Sequence, residues 1–382
     1  VCLSILGTWR GEKGEQWSSA QGLESVLLSI QSLMSPNPYE NEPGFEGVKK
    51  ERPEAIAYIA KIRHESLRIS VIQRMEKLLL PQPSTSDKIV KKMRLEETTD
   101  TQSTDDVKCR QKVTLTAEPS VYEYDAEAAF NALETHNWDP FADLEKRRFL
   151  WYYDSYLKCI ETHAGDQADM TKFEMTDFES PGNEMGGHFN YTGLRTRLEA
   201  IMDALDQELL TWEKDGRKQA AYGTQLPTQL QFVFEQLKPK WNDAHTSGPR
   251  LEIALSDPRN PFIWNLTLYG EPLTDLDGGV FNITLHIPPT FPEVQPRVIF
   301  QTKIFHHRVS TRGALCYFPA KADEIESHLK AIVVAIADSN PQYDPRASVN
   351  AEAFDLYWGG EAKRKIYNRK MRRSAQASTE DV

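Results

Sequence analysis

Apolar residues recur at steps of three and four along residues 20–34 (Ala20, Leu23, Val26, Leu27, Ile30, Leu33, Met34), which puts them on one face of a helix. Ser18 or Ser19 stands where a cap belongs, and Pro36 ends the run. The same spacing predicts a helix over 53–80, through Ile59, Ile62, Leu67, Ile72 and Met75. The pattern then stops. Residues 81–125 are dominated by Ser, Thr, Asp, Glu and Lys, with the stretch E-E-T-T-D-T-Q-S-T-D-D at their centre. They carry too little apolar surface to build a core and read as a disordered, charged linker. Helical periodicity returns over 126–225, around F-L-W-Y-Y-D-S-Y-L and H-F-N-Y-T-G-L-R-T-R-L-E-A-I-M-D-A-L, and breaks near 222–228.

The last third changes period. After an amphipathic helix over Gln231–Trp241, residues alternate apolar and polar from Phe262 to Tyr269 and again from Gly279 to Ile287, with a further strand at Arg297–Thr302. Period two marks half-buried strands. Gly278–Gly279 and Pro288–Pro289 punctuate them as turns. A helix follows from Asp323 to Ala337, with Ile325, Leu329, Ile332, Val333 and Ile336 on one face. Helix, antiparallel meander and helices make an α+β unit over 230–370, followed by a basic and polar tail at 371–382.

The two ends of the chain echo each other. V-C-L-S precedes a loop, an amphipathic helix and N-P-Y-E-N-E-P; G-A-L-C-Y precedes a loop, an amphipathic helix and N-P-Q-Y-D-P. A cysteine, a helix, Asn-Pro, then an acid before another proline is a composite repeat, which chance rarely produces.

Composition narrows the partners. The net charge of −11 argues against nucleic acid and against an anionic membrane, both of which need a basic surface. No apolar run approaches the roughly 20 residues that span a bilayer. Cys2, Cys109, Cys159 and Cys316 show neither metal-ligand spacing nor a disulfide framework, so no metal site and no bound cofactor is expected. Free thiols point to a reducing compartment, cytoplasm or nucleus. A chain that opens on Val1 in the middle of a motif is expected to be a piece of a longer product.

Several stretches resemble the ubiquitin-conjugating enzymes, whose pattern is W-x-V-x-I-x-G-P, G-G-x-F, F-P-x-x-Y-P, P-P-x-V-x-F, a His-Pro-Asn tripeptide, and a cysteine eight residues after that Asn. Here W-N-L-T-L-Y-G runs from Trp264 to Gly270, D-G-G-V-F from Asp277 to Phe281, I-P-P-T-F-P from Ile287 to Pro292 and Q-P-R-V-I-F from Gln295 to Phe300. His306-His307-Arg308 takes the place of the tripeptide, and Cys316 follows Arg308 by eight residues. The N-terminal stretches V-C-L-S-I-L-G-T-W, W-S-S-A, L-L-S-I-Q-S-L-M and N-P-Y-E-N-E-P-G-F-E resemble a narrower group, the large Z-type enzymes. Those also carry a helical C-terminal extension similar to the F-L-W-Y-Y-D-S-Y and G-H-F-N-Y segments.

The resemblance implies a layout. Residues 1–80 would be the second half of a truncated conjugating domain, 126–225 a helical extension, and 230–370 a second, divergent domain with an N-terminal helix, a four-stranded antiparallel meander and C-terminal helices. It also implies chemistry. A cysteine takes ubiquitin, or a related modifier, as a thioester from an activating enzyme that consumes the ATP. It then yields the modifier to a lysine or to a ligase. A thiolate suits both steps as nucleophile and leaving group, a neutral donor steadies the oxyanion, and an acid orients the incoming lysine.

On this reading Cys2 stands at the nucleophile position, although a lone cysteine is also an ordinary small core residue. Glu40 and Glu42 flank the lysine path or form a solvated acidic loop, and Asp344 offers the same two readings in the second copy. Ser19 and Ala20 occupy the loop with which family members grip ligases, and equally suit a helix cap. Cys316 departs from the pattern. Arg308 replaces the oxyanion Asn, the usual Trp after the cysteine is missing, and Glu293 stands where an apolar ligase contact is common. The loop from Cys316 to Asn340 is 24 positions long, against 35 in the first copy. Two readings stand: a modifier-carrying transferase centred on Cys2, and a non-catalytic adaptor that binds ubiquitin or a partner through residues 230–370. An ordinary cysteine hydrolase lacks a histidine partner for either thiol.

Overall fold

The structure, a computed structural model, describes residues 6, 17–19, 21–32, 34–42, 44–79, 139–179, 185–243 and 250–380. Cys2, Ala20, Cys109 and the charged linker lie outside the described residues.

The C-terminal third is α+β. Strands β1 (Leu251–Asp257), β2 (Asn260–Tyr269), β3 (Val280–His286) and β4 (Arg297–Phe300) pair antiparallel in the order β1-β2-β3-β4. β1 precedes the three strands with the plainest alternation; its Leu251 and Ile253 are buried on the core face. Trp264 pairs with Leu255 and Leu285 across the sheet, is fully buried, and donates its indole N–H to the Pro261 carbonyl at 2.8 Å. The other face of this core comes from helices. We number the described helices in chain order: α1 (Leu23–Ser32), α2 (Pro53–Ser66), α3 (Arg74–Leu79), α4 (Ala142–His163), α5 (Tyr191–Tyr222), α6 (Gln225–Asn242), α7 (Ile325–Ala337), α8 (Ala351–Trp358) and α9 (Glu361–Ala377). Phe234 of α6 meets Trp264 edge to face at 5.0 Å. Ile325, Leu329, Ile332 and Ile336 of α7 fill the same core.

Residues 371–380 correct one expectation. They are no tail: α9 continues to Ala377 because Met371 and Ala375, four apart, fall on its inner face and join the core. Ser378 then accepts the Val280 N–H at 2.9 Å.

A second core joins the parts that the sequence separates. Leu67, Ile72 and Met75 of the N-terminal helices pack with Phe149, Leu150, Trp151 and Ile160 of α4 and with Tyr191, Leu194, Leu198 and Ile201 of α5. α2 runs into α3 through a π-helical segment, Leu67–Gln73. The extension is two helices, and among the described residues between them, 164–179 and 185–190, Lys172 and His188 form an isolated bridge. Asn190 caps α5, accepting the Gly193 N–H at 2.7 Å, and Gly223 in the left-handed region (φ 66°) turns the chain into α6. With 32 residues α5 is about 48 Å long. Its first half lies in the second core, and its second half rests on the sheet, with Gly216 against the Phe262 ring and Arg297 stacked on Trp212 at 5.1 Å.

The internal repeat has a structural counterpart. A helix, an Asn-Pro, a short 3-10 turn and a helix follow one another in both copies, with turns at Pro38–Asn41 and Pro345–Ala347. The difference is coverage. α7 is buried against the sheet, whereas α1 buries none of its described side chains, and Leu23 and Leu27 are 74% and 56% exposed.

Candidate functional site

The spacing from Arg308 to Cys316 becomes a hairpin. Val309 bridges Leu315, and the Cys316 N–H donates to the Arg308 carbonyl at 2.8 Å, so residues eight apart face one another. The returning arm lies along β4: Ile299 bridges Ala314, and Leu315 N–H donates to Val298 O at 3.0 Å. Gly313 makes this possible. It sits at φ 87°, and a Cβ there would lie 2.2 Å from the Phe300 carbonyl oxygen.

Behind the hairpin lie His306 and His307, stacked at 4.4 Å and almost fully buried. His306 Nδ1 accepts the Arg308 N–H at 3.1 Å, which holds the loop. The His307 carbonyl accepts N–H groups from both Val349 and Asn350 at 3.2 Å, tying the loop to the start of α8. Burial pushes the basicity of both rings down, with help from Arg308, so both are neutral at pH 7.

Cys316 is 0% exposed. Its side chain belongs to the core built by α4 and α5, not to that of its own sheet. Sγ faces the Arg346 carbonyl at 3.7 Å. Burial raises the thiol to about 12, outweighing Arg308, whose charge favours the thiolate as the sequence suggests; Asp344 adds to the rise, and Arg346 and Arg147 oppose it. At pH 7 the group is therefore a protonated thiol.

What covers the thiol is α4. Trp151 is buried and donates its indole N–H to the Leu315 carbonyl, one residue before Cys316, at 2.9 Å. Tyr152 donates its hydroxyl to the Arg346 carbonyl at 2.6 Å. Asp154 accepts from Thr311 N at 2.7 Å and from its hydroxyl at 2.8 Å. Asp143 pairs with Arg297 at 2.7 Å. The aromatic run of α4 is plain in the sequence, but nothing local there tells which surface it covers.

The structure thus gathers Cys316, Arg308 and Asp344 at one place. Asp344 caps the 3-10 turn, accepting Arg346 N–H at 3.0 Å, and takes the Arg346 guanidinium on both oxygens at 2.9 Å. That hydrogen bonding holds its carboxyl below the usual range. Elsewhere, Ser19 is exposed ahead of α1. Glu40 accepts the Ser35 hydroxyl at 3.3 Å, and Glu42 accepts the Tyr58 hydroxyl at 3.4 Å beside a cluster of Tyr39, Phe45, Tyr58 and Phe178. Glu293 is exposed. Cys159 is half-buried in α4. Among the described residues no group of three or more His, Cys, Asp or Glu is assembled for a metal ion.

Residues 234–375 match the family described as "Ubiquitin-conjugating enzyme". They form a domain of that family. The chain also resembles the Z-type member: it is 31% identical over 209 residues to ubiquitin-conjugating enzyme E2 Z of Danio rerio, covering 54% of this chain and 43% of the relative. Against E2 Z of Homo sapiens it is 52% identical over 84 residues, 22% of this chain and 23% of the relative. The figures for Xenopus tropicalis E2 Z are 54% over 76 residues, 20% and 23%. The chain thus spans less than half the length of these relatives.

Proposed function

We propose that this chain serves ubiquitin conjugation, or conjugation of a related modifier, with Cys2 as the carrying thiol and residues 230–370 as a conjugating-fold module that does not carry in its capped form. The observation behind the second half is the burial of Cys316 beneath Trp151 and Tyr152 of α4. A thiol held near 12 and closed to solvent neither attacks an incoming thioester nor admits a lysine. Support for the first half is the V-C-L-S-I-L-G-T-W context of Cys2 and the similarity to E2 Z.

On this reading an activating enzyme spends the ATP and delivers the modifier, and no cofactor is bound. Ser19 and Ala20 contact a ligase, and Glu40 and Glu42 stand on the lysine path. The reducing cytoplasm or nucleus keeps the thiols free. The module over 230–370 contributes binding, as the replacement of the oxyanion Asn by Arg308 and the exposed Glu293 favour.

The test is loading of the full-length protein with activating enzyme, ATP and ubiquitin, read on non-reducing gels. The wild type and Cys316→Ser should give the same reducible band, and Cys2→Ser should give none. A reducible band that survives Cys2→Ser and disappears with Cys316→Ser reverses the assignment.

A further inference from the structure

We propose that α4 is an autoinhibitory cap and that Cys316 is a latent thiol which release of α4 exposes. The inference rests on the reading above for the silence of Cys316 and adds its cause. Two sequence departures, Arg308 and the missing Trp, would leave a permanently disabled site. The structure offers a different and reversible reason.

The geometry has three parts. The first is the lid itself. Trp151 and Tyr152 donate to carbonyls on the two sides of the thiol, Leu315 and Arg346, and Asp154 holds Thr311 further along the loop. Trp151 and Tyr152 donate to backbone carbonyls, and the half-buried Asp154 carboxylate accepts the Thr311 N–H and hydroxyl, so these latches involve no buried ion pair. The one such pair on α4 described above, Asp143 with the buried Arg297, is the costlier contact that release must break. The second is the seal. Cys316 packs with the apolar side chains of α4 and α5 and with Ala314 and Val349 from its own domain, and Phe318 closes edge to face on Trp151 at 5.9 Å. The third is a clamp behind the lid. Arg74 of α3 binds Glu145 at 2.6 Å and also Asp139, at the start of α4, and Lys146 of α4 binds Glu208 of α5 at 2.5 Å. The N-terminal helices therefore press α4 onto the Cys316 loop. A movement of those helices loosens the lid with no change in the loop itself.

Once the lid lifts, the thiol loses its main source of elevation, which is burial, and Arg147 leaves with α4, while Arg308 and Arg346 of its own domain remain, opposed by Asp344. These two arginines, overruled in the closed state, then favour the thiolate.

The test is the alkylation rate of Cys316 by iodoacetamide, in the full chain carrying Cys2→Ser, Cys109→Ser and Cys159→Ser, followed by mass spectrometry. It needs no modifier, so its outcome is independent of whether Cys2 carries one. The closed chain should react at least about 100-fold more slowly than the same chain in denaturant. Tyr152→Phe and Thr311→Ala each remove a latch, one from either side of the interface, and should speed alkylation by about 3–10-fold while the melting transition stays cooperative. Arg74→Ala should accelerate it in the same sense from behind the lid. Ile332→Val, in the sheet core and away from α4, lowers global stability and should leave the rate unchanged. Equal acceleration by Ile332→Val would mean that reaction proceeds through global unfolding, and the cap is wrong. A folded Tyr152→Phe/Thr311→Ala double variant as inert as the parent would mean that Cys316 is buried by its own domain. A parent that already reacts like the denatured chain overturns the proposal outright.

Discussion

Mild acid should destabilise this fold before any carboxylate titrates. Four buried histidines, His64, His306, His307 and His328, are held neutral by burial. His64 Nε2 accepts the Asn190 N–H at 3.0 Å, at the cap of α5. His306 Nδ1 accepts from Arg308 N, His307 Nδ1 faces the Tyr367 hydroxyl at 3.4 Å, and His328 Nδ1 faces the Tyr317 hydroxyl at 2.9 Å while its Nε2 serves the Ala322 carbonyl. Burial is the first cause in every case and lowers all four below the ordinary histidine value. In the unfolded chain the same rings titrate near 6.5. The unfolded state therefore binds more protons as pH falls, so stability is fully present above about pH 6.5 and declines below it. For His307, brought down to about 3, the loss is on the order of 1 kcal/mol by pH 5.5 and grows as pH falls further. The other three add in the same direction. Carboxylates such as Asp169 and Asp344, lowered by hydrogen bonds, lose their contribution only below about pH 4, so the two windows separate. The assay is denaturant unfolding at pH 7.5, 6.5, 5.5 and 5.0, with the slope read as protons taken up. His307→Phe, which keeps the stack on His306 and Tyr357, should remove close to one proton from that slope at pH 5.5. Stability that is flat from pH 7.5 to 5.0 refutes the reasoning, as does a slope that His307→Phe leaves unchanged.

Other substitutions probe the joints of the structure. Gly216→Ala gains about 1 kcal/mol of helix propensity, but its Cβ would lie 2.7 Å from Cδ2 of the fully buried Phe262 ring. Overpacking of that kind costs about 1–3 kcal/mol, so urea midpoints should fall or at best stay level, and a clear rise would mean that α5 does not rest on β2. Lys61→Met strands Glu179, whose carboxylate takes Lys61 at 2.6 Å with both side chains buried; thermal unfolding should register a loss of about 3–5 kcal/mol, largely recovered in Lys61→Met/Glu179→Leu. Arg308→Asn restores the family's oxyanion residue yet leaves α4 in place, so single-turnover loading at Cys316 should stay undetectable; loading that appears with this change alone would place the block at the oxyanion position instead.

Most of the C-terminal architecture is legible from alternation. Phe281, Ile283 and Leu285 face one way and Asn282 and Thr284 the other, and β3 forms as that pattern requires. The family's spacing of eight is likewise a local matter, since a hairpin closed by Val309 and Leu315 needs only its own residues. α9 is harder to read. K-R-K-I-Y-N-R-K-M-R-R is dense in cations, and its inner face shows only as Tyr367, Met371 and Ala375 at steps of four. α1 carries the opposite lesson. Its apolar face is as regular as that of α7, and periodicity alone distinguishes nothing, yet α7 finds a sheet and α1 lies with Leu23, Leu27 and Leu28 in the open.

The state of Cys316 is the part that local sequence does not contain. The residues around it, Arg308 above all, argue for a lowered thiol, and taken alone that argument has the right sign. It fails in magnitude because burial enters with the opposite sign and is larger. The burial comes from a helix that begins more than 170 residues upstream and attaches through carbonyls of Leu315 and Arg346, acceptors that any residue would offer. No side-chain signature near the cysteine is needed for such a contact, so none is there to read. On the side of α4 the signal is present but unaddressed: Trp151 and Tyr152 sit in an aromatic run that any core would accept. Attribution of lost activity in a divergent conjugating domain to its missing oxyanion residue therefore requires that the thiol be accessible first. In this chain the first barrier is α4, and the electrostatics of the loop matter only after it moves.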